Sequence, residues 1–211
     1  MRKRVLCYGD SNTYGSRPDA PGRWDESVRW PMRLQALLGD EWMVVEEGCG
    51  GRTTVWEDPI EEDKNGKVYL RPCIHSHRPL DVVIIALGIN DLKARFSLTA
   101  NDVAQGAGTL VRIVKGIDYG SYKAPKILLV APAPLHDEIM SRKFARMYAQ
   151  DALEKSKKLA AEYQTIAEEL GVEYLNAGLY VETGEDGLHY TAESHRRLAA
   201  AIAEKIWEMG V

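Results

Sequence analysis

Three short stretches, far apart in the chain, hold the residue types that nucleophilic catalysis requires. The first is Val5-Leu6-Cys7-Tyr8-Gly9-Asp10-Ser11-Asn12-Thr13. An apolar run that stops at a Gly and two turn-forming polar residues reads as a buried parallel strand ending in a sharp turn. In an open α/β sheet, ligands bind in the crevice beyond the C-terminal ends of the strands, so Ser11 is expected at the mouth of such a site. The second stretch is Asp186-Gly187-Leu188-His189. A carboxylate three residues before a histidine, in a loop entering a helix, can lie against the imidazole, fix its tautomer and steady the imidazolium. The third, residues 80–91, is another apolar run closed by Gly88-Ile89-Asn90-Asp91. It puts Asn90 at the same sheet edge, where its amide can donate to a developing oxyanion. Alone, Asp10 and Ser11 read equally well as turn formers. Together the three stretches supply nucleophile, base and orienter.

Four blocks in order carry a resemblance. They are Gly9-Asp10-Ser11, a Gly-containing loop after the second strand, Gly88-Ile89-Asn90-Asp91 and Asp186-Gly187-Leu188-His189. The chain resembles the SGNH hydrolases, also called GDSL-type esterases, over nearly its whole length. Glu46-Glu47-Gly48, Arg52-Thr53-Thr54 and residues 80–85 look like the bacterial arylesterase branch, some members of which also carry out acyl transfer and perhydrolysis. The resemblance implies a serine esterase that acts on short-chain aryl or acetyl esters through an acyl-enzyme. Ser11 is its nucleophile, His189 its base and Asp186 the orienter. The oxyanion hole is then the N–H groups of Ser11 and Gly51 with the Asn90 side chain; Gly50 replaces Gly51 if the match slips by one. No metal or organic cofactor is implied. The alternatives are an acyltransferase or perhydrolase that passes the acyl group to alcohols or peroxide, and a carbohydrate acetyl esterase. Asn12 stands where the family name has Leu, and is expected to line the pocket and affect substrate preference. Tyr14 and Leu188 are the other expected substrate contacts. The reading from another class is a non-catalytic flavodoxin-like module with residues 48–54 cradling a phosphate. No G-x-S-x-G nucleophile elbow is present, so the larger α/β-hydrolase pattern does not apply.

The elements that must position these residues alternate. Strands are predicted over residues 4–8, 42–46, 81–87, 126–131 and 172–175. Helices are predicted from about residue 28 to 38, over 69–77 with a break near Pro72, over 99–115, over 138–169 and over 191–209. Trp30, Leu34, Leu37 and Leu38 form a helical stripe that reads as core. Thr99 with Asp102 reads as a capping box. Residues 12–25 read as a long loop beside the site. The alternation predicts right-handed βαβ units. The fold class is α/β: a three-layer α/β/α sandwich around a flavodoxin-like five-stranded parallel sheet, strand order 2-1-3-4-5, in a single domain spanning residues 1–211.

Composition sets limits. The 211 residues are 45% hydrophobic and 27% charged, with a net charge of −4. That is the profile of a globular chain, and it argues against a nucleic-acid partner. No apolar run reaches the ~18 residues of a membrane span. The run after Met1-Arg2-Lys3-Arg4 is too short for a signal-peptide core. The three cysteines, Cys7, Cys49 and Cys73, lack metal spacing, and an odd count with one in a core strand leads us to expect reduced thiols and a cytoplasmic setting. His75 and His77 are two apart, which does not put both on one helix face. The expected partner is a small-molecule ester, with no nucleic acid and no membrane. The Trp, Tyr and Arg residues of 12–29 also suggest a homo-oligomer whose contact borders the site.

Overall fold

In the computed structural model, which describes residues 2–211, the chain forms β1 (Lys3–Gly9), α1 (Ser11–Tyr14), α2 (Trp30–Leu38), β2 (Trp42–Gly48), α3 (Gly66–His77), β3 (Val82–Ala86), α4 (Ala100–Lys115), β4 (Lys126–Ala131), α5 (Asp151–Leu170), β5 (Glu173–Asn176) and α6 (Ala192–Glu208). The sheet order is β2-β1-β3-β4-β5, and every pairing is parallel. Both the class and the strand order are those expected. Side chains alternate across each strand. Leu6, Tyr8, Val83 and Ile85 face a core built with α3, α4 and α5. Val5, Cys7, Val82 and Ile84 face the opposite core, against α2 and α6. The strands are therefore apolar on both faces, as a sheet covered by helices on both sides requires.

The C-terminal strand ends crowd together where the first turn must fit. A Cβ on Gly48 would lie 2.1 Å from the Tyr14 nitrogen and 2.6 Å from the Thr13 carbonyl carbon. Glycine at that position lets α1 lie against the end of β2. This single helical turn is a departure from the sequence reading, which had loop from residue 12. Four residues give no periodicity to read.

Three helices differ from expectation. α2 starts at Trp30, and its Leu37 is exposed rather than core. No side chain of its own caps it. Instead the Trp30 N–H donates to Nδ1 of buried His195, reaching over from α6, at 3.2 Å. Burial holds the His195 pKa down to about 3, so the ring stays neutral and can accept. α3 begins at Gly66 under an Asn65 cap and runs through Pro72 without a break, because its buried stripe of Leu70, Cys73 and Ile74 holds it to the sheet. Residues 138–169 are not one helix. Asp137–Met140 form a short 3₁₀ turn, and α5 begins only at Asp151. The helix-forming side chains of this stretch are overridden by tertiary contacts. Ala94 N donates to Met147 O at 2.8 Å, Lys93 bridges to Tyr148, and His136 N donates to Gly187 O at 3.0 Å. Among the described residues no helix is long and apolar enough to cross a membrane.

Candidate active site

Ser11 follows β1 directly, and the side chain of Asp10 caps its turn by accepting from Asn12 N at 2.9 Å. Burial pushes Asp10 up to about 6, against the pull of that N–H bond. Asp186 makes a compact turn of its own. Its Oδ1 accepts from Leu188 N at 2.9 Å and His189 N at 2.8 Å, while Oδ2 accepts from His189 Nδ1 at 2.6 Å. Burial pushes the Asp186 carboxyl up, but the His189 ring and the two N–H groups outweigh it and hold the pKa below the usual value. With Nδ1 donating, Nε2 is the nitrogen left to act as base. Gly187 has φ 72°, and a Cβ there would meet Ile139 N at 2.5 Å. Glycine thus allows residues 136–139 to close over the turn.

Ser11, Gly50, Gly51, Asn90, Asp186, Leu188 and His189 all line one cavity of about 510 Å³. Ser11 and His189 are both buried. Among the described residues no hydrogen bond engages the Ser11 hydroxyl. Catalytic hydrogen bonds are often long before substrate binds and tighten in the complex. Among the described residues no hydrogen bond engages the N–H groups of Gly50 and Gly51 either.

Asn90 Nδ2 donates one N–H to Arg52 O at 3.2 Å and keeps a second. Arg52 ties the strand ends together: its guanidinium donates to Gly9 O at 3.0 Å and to Glu47 O, with its carbon 4.4 Å from the Tyr8 ring centroid. Its neighbour in this frame is Asp91, fully buried, accepting from Thr54 N at 3.0 Å and from Thr54 Oγ1. Burial pushes Asp91 up from 3.8 to about 7, with buried Asp10 adding to the rise. A raised carboxyl binds its proton more tightly folded than unfolded, so its contribution weakens stability as pH climbs from 3.8 to about 7. Asp91→Asn is therefore expected to raise the melting temperature at pH 8 and to lose that gain near pH 4, by scanning fluorimetry. An equal shift at both pH values would contradict this.

Two expected substrate contacts stand outside the cavity lining. Asn12 is buried, with Nδ2 donating to Leu188 O at 3.4 Å and Oδ1 accepting from Tyr190 N at 3.1 Å. Tyr14 is at the surface, under the Arg23 guanidinium at 4.3 Å. The walls come instead from residues 16–22 and from Arg142, Lys143, Phe144, Met147 and Tyr148. Phe144 sets its ring edge-on to His189, centroids 5.5 Å apart. Lys93, buried in the wall, is paired with Glu61 at 2.9 Å. Trp24 is half-buried and donates from Nε1 to Tyr190 O at 3.3 Å, so the 12–29 loop engages its own chain. The donors best placed for a metal ion lie elsewhere. Those of Glu47, Cys73 and His77 fall within 4.8 Å of one another, but His77 Nε2 already lies 2.9 Å from Glu47 Oε1 and burial pushes the Cys73 thiol up to about 12. Cys73 and His77 have the i, i+4 spacing that could have signalled this cluster, whereas His75 is exposed.

A model described as the GDSL-like lipase/acylhydrolase family matches residues 7–197. Among solved structures, the chain is 40% identical to Est24, a carbohydrate acetylesterase from Sinorhizobium meliloti, covering 99% of this chain and 100% of that one at a TM-score of 0.92. It is 38% identical to the aryl esterase of M. smegmatis, covering 98% and 99% of the two chains at a TM-score of 0.92. It is 36% identical to another carbohydrate acetylesterase family member from Sinorhizobium meliloti, covering 99% and 100% at 0.93. The comparison with curated proteins found no match.

Proposed function

The chain belongs to the GDSL-like lipase/acylhydrolase family and is a carboxylic ester hydrolase, and from that premise we propose that it cleaves short-chain acyl esters through Ser11, His189 and Asp186. The observation that carries this reading is the 2.6 Å contact of His189 Nδ1 with Asp186 in the same cavity as Ser11. Ser11 Oγ attacks the ester carbonyl as His189 Nε2 takes its proton. The tetrahedral oxyanion accepts from the N–H groups of Ser11 and Gly51, or Gly50, and from the free N–H of Asn90. His189 then protonates the departing alcohol, leaving an acyl group on Ser11. Water, activated by the same imidazole, releases the acid and restores Ser11.

Charged walls favour a small acyl group and a polar alcohol. Lys93, Glu61, Arg142 and Lys143 stand in the lining beside Phe144, Met147 and Leu188, and the charged groups suit the hydroxyls of an acetylated sugar. The carbohydrate acetylesterases among its neighbours support the same choice. A second reading, acyl transfer to an alcohol or peroxide, is favoured by Phe144, edge-on to His189, and by Met147 in the same cavity, whose apolar surfaces disfavour water. An acyl-chain series of p-nitrophenyl esters, run with and without added alcohol, tests both. Best turnover on long chains would overturn the first, and absence of transfer product the second. Asn90→Ala is expected to lower kcat by roughly 10²–10³, the usual effect of losing one oxyanion donor. A change confined to KM would mean that Asn90 holds ground-state substrate instead. We further propose a homo-oligomer, from the composition of the 12–29 loop; a monomer mass by light scattering would refute it.

A further inference from the structure

We propose that Asn12 is a positioning residue that holds the base in register with the nucleophile, a role that rests on the assignment of Ser11 and His189 above. Asn12 follows Ser11 on the same helical turn. Its one amide spans both peptide groups that flank His189, accepting from the Tyr190 N–H at 3.1 Å and donating to the Leu188 carbonyl at 3.4 Å. The other bonds on the His189 backbone, from its N–H to Asp186 and from Gly184 N to its carbonyl at 2.7 Å, stay within the same local turn. They shape the turn without fixing where it sits relative to Ser11. Asn12 supplies that link, from the residue next to the nucleophile.

The residue type suits the task. The two peptide groups offer one acceptor and one donor, and a carboxamide carries the complementary pair on a rigid plane. Leucine, of similar volume, carries neither. Aspartate can accept from Tyr190 but cannot donate to Leu188, and would bring a charge next to the buried Asp10 carboxyl. Misplacing a base by 1 Å can cost about 10²-fold in rate, so the link bears on turnover rather than on substrate affinity.

The test measures kcat and KM on p-nitrophenyl acetate, and the rate at which a fluorophosphonate labels Ser11, in the full chain. Asn12→Leu is expected to lower kcat about 10²-fold with KM unchanged, and to slow labelling by the same factor. Asn12→Asp, which keeps the shorter bond, is expected to fall between Asn12→Leu and the parent. Parent-like kcat in Asn12→Leu, or a loss carried wholly by KM, would overturn the proposal. Should Asn12→Leu fail to fold, Asn12→Asp decides: a reduced kcat at unchanged KM supports the link, and a parent-like kcat removes it. Ser11→Ala is run alongside. If that variant keeps turning over ester, the nucleophile assignment has failed, not the reading of Asn12.

Discussion

Ser11→Ala is expected to reduce ester turnover by about 10⁶-fold in kcat, the loss seen when a triad nucleophile is removed. The site is then left with a base that has nothing to activate. What survives is the contribution of the oxyanion donors and of binding to a slow attack by water. The fold should not notice. Among the described residues the Ser11 hydroxyl makes no hydrogen bond, and the turn is held by Asp10 and by Asn12. Alanine also suits a helical turn. The check is kcat on p-nitrophenyl acetate together with the melting temperature. Turnover within tenfold of the parent, at an unchanged melting temperature, would remove Ser11 from the mechanism.

Asp186→Asn is expected to cost about 10⁴-fold in kcat, for a reason of proton placement rather than charge alone. In the native turn Asp186 Oδ2 accepts from His189 Nδ1, which leaves Nε2 unprotonated, the state that the proposed proton transfer from Ser11 requires. An asparagine can still accept from Leu188 N and His189 N through its oxygen, so the turn survives. Its NH₂ then faces Nδ1 and donates, which moves the ring proton to Nε2, the nitrogen that must receive. KM should change little. Turnover within tenfold of the parent would show that the tautomer is not set by Asp186.

The sheet was readable because its strands are continuous apolar runs bounded by Gly and polar turns, as Val82-Val83-Ile84-Ile85 shows. The same boundaries placed Ser11 and Asn90 at one edge, since in a parallel sheet every such boundary falls on the same side, while Asp186 and His189 were legible from their three-residue spacing before the last helix. The helical readings failed where a distant partner outweighed local preference. Residues 138–150 carry helix formers, yet their backbone is engaged by Lys93 and Ala94, neither of which is near in sequence. That error hid Phe144, Met147 and Tyr148 from the site. That Asn12 and Tyr14 stand outside the cavity lining was illegible for a related reason: adjacency to Ser11 says nothing of which way a side chain leaves a four-residue turn. The cap on α2 was unreadable as well, because it comes from His195, far along the chain.

The cavity's walls and the groups assigned to catalysis meet at two points: Ser16 N donates to Ser11 O at 2.9 Å, and Phe144 packs edge-on to His189. Ser11, Asn90 and the Asp186–His189 turn are fastened to strand ends and to one another through Arg52, Asn12 and Asp10. Elsewhere the walls have supports of their own: residues 142–147 are held through Ala94, the Lys93–Tyr148 bridge and the packing of Phe144 and Met147 on the core, and residues 17–22 by the Arg17–Gly22 bond and the Ser16–Arg23 bridge. Such an arrangement is open to modular change. Side chains of different polarity can be exchanged at wall positions other than Ser16 and Phe144 without touching Ser11 or His189, so new acyl donors and acceptors become reachable in few mutational steps. Directed evolution confined to 17–22 and to 142–147 with Phe144 kept would therefore diversify substrate range at little risk to turnover, whereas libraries that reach Arg52 or Asn12 would mostly yield inactive chains.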